Sequence, residues 1–191
     1  MKPARNKKHL SDIINGCIEN DSADGLKYYL SNFRSKFFIP QSQDSLKKDF
    51  PNLLTDSISK LKPECAKYLH EIGFQIVRQS DIDRILLSEC KIQKIQDVYE
   101  LLISLGYNLP EDIKEKIIKR VLEPYKIEAN NKRIDVALRL LNTGFVTEEQ
   151  FEAVLNKIIS ETKNKKFESN IKIFVRDFRL KKLFNELDTN S

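Results

Sequence analysis

One phrase recurs three times along this chain. It reads Glu64-Cys65-Ala66-x-x-Leu69-x-x-x-Gly73-Phe74, then Asp97-Val98-Tyr99-x-x-Leu102-x-x-x-Gly106-Tyr107, then Asp135-Val136-Ala137-x-x-Leu140-x-x-x-Gly144-Phe145. The acid belongs in the first turn of a helix, where the positive end of the macrodipole favours it. The apolar residue after it lies four positions before the leucine, so the two share one face. Glycine then stands where the helix stops, because it alone adopts the left-handed terminal conformation without steric cost. The aromatic that follows can fold back onto the last turn. One such helix cannot bury its apolar stripe alone, whereas stacked copies can. The glycines recur after 33 and 38 residues, a period expected of stacked helical units.

Each phrase follows a second apolar stretch at helical spacing. These stretches are Leu53-Leu54-x-x-Ser57-Ile58-x-x-Leu61, Ile82-x-x-Ile85-Leu86-x-x-x-Cys90 and Ile113-x-x-x-Ile117-Ile118-x-x-Val121-Leu122. The unit is therefore helix, short turn, helix and a glycine-ended loop. It resembles the ankyrin repeat, whose second helix reads as an apolar pair, two variable residues, Leu-Leu, two variable residues and Gly. Leu54 and Leu87 lie eleven residues before the apolar pair, as in that family. The resemblance covers the middle two-thirds of the chain. The family's Thr-Pro-Leu-His opening is absent, and the repeat length varies. The resemblance implies binding along the loop tips and the exposed faces of the first helix in each pair.

The expected architecture is an all-α solenoid of about five ankyrin-like helix-turn-helix repeats. It forms a single domain over 1–191, with a basic tail over 1–9, helical repeats over 10–184 and a C-terminal tail over 185–191. The first unit carries Leu10, Ile13, Ile14, Cys17 and Ile18, then a turn from Asp21 to Gly25 in which Ser22 or Asp24 caps the next helix. The last unit opens with Thr147-Glu148-Glu149-Gln150, a capping box. Its final helix carries Ile171, Phe174, Val175, Phe178 and Leu183 on the apolar stripe. The first and last units lack the glycine, as terminal caps would. Ser35–Asp49 is read as a long irregular loop, Lys126–Lys132 as a polar insertion and Thr162–Lys166 as a polar break.

The chain contains no Gly-rich phosphate loop, His-Glu-x-x-His, Cys-x-x-Cys or Gly-x-Ser-x-Gly. The expectation is a chain without catalysis, cofactor or metal. Cys17, Cys65 and Cys90 fall on apolar helix positions and read as small buried hydrophobes. His70 reads as a partly buried residue at a helix end. No stretch approaches the roughly 20 apolar residues of a membrane span. The basic start is followed by no apolar segment, so no secretory signal is read there, and a cytoplasm, the cell's own or a host's, is the expected location.

Two features point to a protein partner. Phe37 and Phe38 stand in an otherwise polar loop, where they either tuck against the helices or present a sticky patch. Lys172, Arg176 and Arg179 share one face of the last helix, which is either a solvated cap or a contact for an acidic surface. Anionic lipid or nucleic acid is the alternative for that basic end. Nucleic acid is the weaker, because the net charge is only +5 and the aromatics lie on the apolar stripe, not among the cations. The wording rich in Lys, Asn and Ile fits, by association, a secreted effector or an inhibitor of the immunity type.

Overall fold

Each repeated phrase ends a helix at its glycine. In the computed structural model, which describes residues 7–32, 47–122, 130–161 and 165–189, Gly73, Gly106 and Gly144 have φ of 87°, 83° and 67°. Hydrogen bonding explains the spacing from leucine to glycine. Phe74 N–H donates to Leu69 O (2.9 Å) while Gly73 N–H donates to His70 O (2.9 Å). Tyr107 and Gly106 repeat this pair onto Leu102 O (3.1 Å) and Ile103 O (2.9 Å). This is the Schellman arrangement, in which two terminal carbonyls are satisfied by the chain that follows. The third copy is relaxed by one residue, because Val146 N–H, not that of Phe145, reaches Leu140 O (3.2 Å). Leu69, Leu102 and Leu140 are all buried, as their common place in the phrase predicts.

The described residues are helical throughout, with no strand. The helices are α1 (Lys7–Glu19), α2 (Ala23–Asn32), α3 (Leu53–Ser59), α4 (Pro63–Glu71), α5 (Gln79–Arg84) and α6 (Ile95–Ser104). They continue with α7 (Ile113–Leu122), α8 (Asn130–Asn142), α9 (Glu148–Glu161) and α10 (Lys165–Thr189). Helix α1 takes in the end of the expected basic tail, and α10 runs through most of the expected C-terminal one. Residues 130–132 of the expected polar insertion form the first turn of α8, and residues 47–49 of the expected loop form a helical turn. The remainder of those two segments lies outside the described residues.

The chain divides into two compact units, Met1–Lys91 with Asp97–Asn108, and Ile92–Gln96 with Leu109–Ser191. In the first, α1 packs on α2, α3 on α4, α2 on α4, and α3 on the wide turn that continues α5. Ile14, Ile58, Leu69, Ile85 and Leu102 are among its fully buried side chains. In the second, α7 packs on α8 and α9, while α8 packs on α10 and on the 3₁₀ turn Ile92–Lys94. In the first unit one helical hairpin thus packs on the next.

Two turns inside the first unit reach the left-handed region without glycine: Asp21 at φ 51° and Leu61 at φ 56°. The same bonding recurs there, with Ser22 N–H on Cys17 O (2.8 Å) and Lys62 N–H on Ser57 O (2.8 Å). Asp21 has a further task. Its carboxylate accepts from Cys65 N–H (3.0 Å) at the start of α4, which has no cap of its own. A negative charge at a helix N-terminus is favourable, so the first hairpin's turn caps the second hairpin's helix. Lys60 bonds the Glu19 carboxylate and Lys62 the Glu19 carbonyl, reinforcing that junction.

Two expectations are corrected. Gly25 lies inside α2, not in a turn, because Ser22 Oγ already accepts Gly25 N–H (3.2 Å) and starts the helix there. A Cβ at Gly25 would lie 2.8 Å from both Cys17 Sγ and Ser22 Oγ. Leu86 is buried, as its place in the apolar stretch predicts, and Leu87 beside it is half-buried. The helical turn Ile85–Glu89 is widened, with Cys90 N–H donating to Ile85 O (3.0 Å). Leu183 is 56 % exposed and leaves the core stripe. The positions that continue the stripe after Phe178 are Lys181 and Lys182, whose ammonium groups pair with Asp135 and Glu148.

Candidate partner-binding face

Helix α10 carries two apolar stripes. Ile171, Phe174 and Phe178 form the buried one, with the Phe178 ring stacked 5.3 Å from that of Phe151 on α9. At 3.6 residues per turn the second stripe lies about half a turn away. It runs through Ile173, Leu180, Leu183 and Leu187, all exposed. With Arg176 included, its spacing is three, four, three and four residues, the spacing of a helix seam that meets another helix.

Lys172, Arg176 and Arg179 flank or interrupt this second stripe. Their side chains are 65–69 % exposed. The structure brings all three to one open groove of about 520 Å³. Ile159 of α9 and Val175, Leu180 and Leu183 of α10 supply its apolar lining. Among the described residues no carboxylate lines it. Lys172 contacts Glu168 (2.6 Å), Arg176 contacts Asp177 (2.8 Å), and Arg179 stands 4.0 Å from Glu152. Exposed pairs of this kind are each worth roughly 0–1 kcal/mol, so they hold the cations only weakly. Phe37 and Phe38, the other predicted site residues, lie outside the described residues. Sequence reading missed Ile159 and Leu180, and it placed Leu183 on the wrong face. The 3-4 spacing from Ile173 to Leu187 was the available signal.

A second groove of about 450 Å³ lies along α7 and α9 and is acidic, with Glu111, Asp112 and Glu115 on its wall. Its charges are largely matched. Asp112 meets Lys116 (3.0 Å), and Glu115 meets both Lys119 (3.0 Å) and Lys157 (3.2 Å). Hydrogen bonds from Lys119 and then Lys157 hold the Glu115 carboxyl below its usual range. Lys114 is committed as well, donating to Phe145 O (2.7 Å) with its ammonium 4.9 Å above that ring.

Cys65, His70 and Tyr107 are engaged in the fold. Burial, and then the neighbouring Asp21 carboxylate, push the Cys65 thiol up to about 12, so it is neutral at physiological pH. His70 packs its ring edge-on to Tyr107 (5.7 Å). The Tyr107 hydroxyl accepts Ile76 N–H (3.0 Å), and burial raises its phenol above the usual range. Among the described residues there is no cluster of three His, Cys, Asp or Glu that could hold a metal, and no helix is long and apolar enough to cross a membrane. Comparison with protein-family models, curated proteins and solved structures returns no match.

Proposed function

We propose that this chain is a non-catalytic protein–protein interaction module, an ankyrin-like stack of helical hairpins whose recognition surface includes the groove along α10. One observation carries the reading: Lys172, Arg176 and Arg179 lie in the same groove as exposed Leu180, Leu183 and Ile159. Apolar side chains exposed together cost free energy in water and gain it when a partner covers them. Cations at the edge of such a patch steer an oppositely charged partner and select against like-charged ones. The repeated phrase and the side-by-side hairpins support the stacked-repeat part of the reading. An inhibitor or effector acting by occupation of a partner's surface fits this chemistry.

The test is a photo-crosslinking residue placed at Leu183 in the full chain, expressed in its native cell. The expected product is a discrete adduct to protein, absent when the label sits at exposed Gln93 instead. Labelling of lipid or nucleic acid, or of nothing, would overturn the reading.

A further inference from the structure

We infer that the groove along α10 receives an acidic amphipathic helix from the partner protein. The inference rests on the interaction-module reading and adds the partner's chemistry. The stripe Ile173, Arg176, Leu180, Leu183 and Leu187 repeats at three and four residues, which matches the ridges of a second helix and not the alternation of a strand. From Ile173 to Leu187 it is about 21 Å long at 1.5 Å per residue, enough for four turns of contact. Lys182 pairs with Glu148, the first residue of α9, so Leu183, Phe184 and Leu187 run past the start of that helix and stay exposed. Helix-in-groove recognition uses anchors at such spacing.

Charge selects the occupant. Arg176 occupies a seam position, and Lys172 and Arg179 stand one residue before Ile173 and Leu180, along one edge. A partner helix therefore needs leucine-like residues on its facing stripe, with carboxylates opposite Arg176 and along the Lys172 and Arg179 edge. A second copy of this chain fits poorly. A two-fold pairing would set the same patch against itself, facing the cations of Lys172, Arg176 and Arg179 with those of the second copy. A lipid surface fits poorly too, because membrane-lying helices keep their cations on the polar face, whereas here Arg176 stands within the apolar seam.

The probe is a 21-residue helical peptide with leucines at 3-4 spacing and glutamates between, compared with its twin carrying lysines. Fluorescence anisotropy against the full chain should show the glutamate peptide binding at least tenfold more tightly. Lys172→Glu with Arg176→Glu and Arg179→Glu should invert that order. Should the triple variant fail to fold by circular dichroism, Leu183→Ser, a change at one exposed residue, should weaken the glutamate peptide at least fivefold. Equal binding of the two peptides, no binding of either, or an unchanged order in the variant overturns the inference. So does sedimentation of the wild-type chain with phosphatidylserine vesicles that the triple variant loses. A protein adduct at Leu183 without preference for the glutamate peptide defeats the acidic-helix inference alone. Absence of any adduct defeats the module reading with it.

Discussion

Leu102 on α6 and Leu183 on α10 are the same residue type, each on an apolar stripe of a helix, yet Leu102 is 0 % exposed and Leu183 56 %. Two residues past the end of α6, Gly106 turns the chain and Tyr107 N–H returns to the carbonyl of that same Leu102. Helix α10 contains no such stop and runs for 25 residues against the 14 of α9, and its second stripe stays exposed. Apolar periodicity says that a face gains by being covered. It does not say whether the same chain or another molecule covers it.

Truncation separates the two leucines most strongly. Leu102→Ala should cost about 2–5 kcal/mol, because the buried side chain leaves a cavity that neighbours fill only in part. Leu183→Ala should change stability by no more than about 0.5 kcal/mol, as exposed substitutions do. Urea unfolding of both variants measures this, and a comparable loss for Leu183 would place it in the core.

The helix ends come next in size. Gly106→Ala should cost on the order of 1 kcal/mol from the left-handed backbone alone. Nothing lies within 4 Å of the added Cβ, so no clash contributes. A loss of several kcal/mol in thermal unfolding would mean that the Gly106 turn also holds packing that φ does not explain. Thr147→Ala should cost a similar amount, about 1 kcal/mol, by removing one half of a reciprocal cap. Gln150 N–H donates to Thr147 Oγ1 (3.2 Å) and Thr147 N–H to Gln150 Oε1 (3.1 Å). Thr147→Ser should restore most of the loss, and failure to do so would assign the effect to the methyl group.

The smallest expected effect falls on the cations of the α10 groove. Charge reversal at Lys172, Arg176 and Arg179 should leave the melting temperature within about 2 °C of wild type, since exposed pairs contribute little and are screened by salt. A large destabilisation would show that these residues bind the chain to itself rather than wait for a partner.

Much of the fold was legible before any coordinates. The three glycines, the Thr147–Gln150 box and the Ser22 cap all depend on groups within about six residues of one another, and such rings close wherever the local chain allows. The widened turn at Ile85–Glu89 was not legible, because its apolar residues Ile82, Ile85, Leu86 and Cys90 keep ordinary helical spacing. Asp21 as the cap of α4 was equally hidden. Its local sequence suggests a turn, and only the stacking of one hairpin on the next brings its carboxylate to Cys65 N–H.

The groove on α10 divides along the same line. The shared face of Lys172, Arg176 and Arg179 could be read from spacing alone, because three- and four-residue steps on a helix carry no dependence on neighbours. That Leu180 and Leu183 join them, and that Ile159 of another helix completes the lining, depended on which of the two α10 stripes packed inward. The first stripe, with Ile171, Phe174 and the Phe178 ring stacked on Phe151, is the one that turned to the core. Local hydrogen bonding is written residue by residue and so was determined by the sequence itself. The choice of buried face is a competition among surfaces distant in the chain, and only the packed tertiary structure decides it.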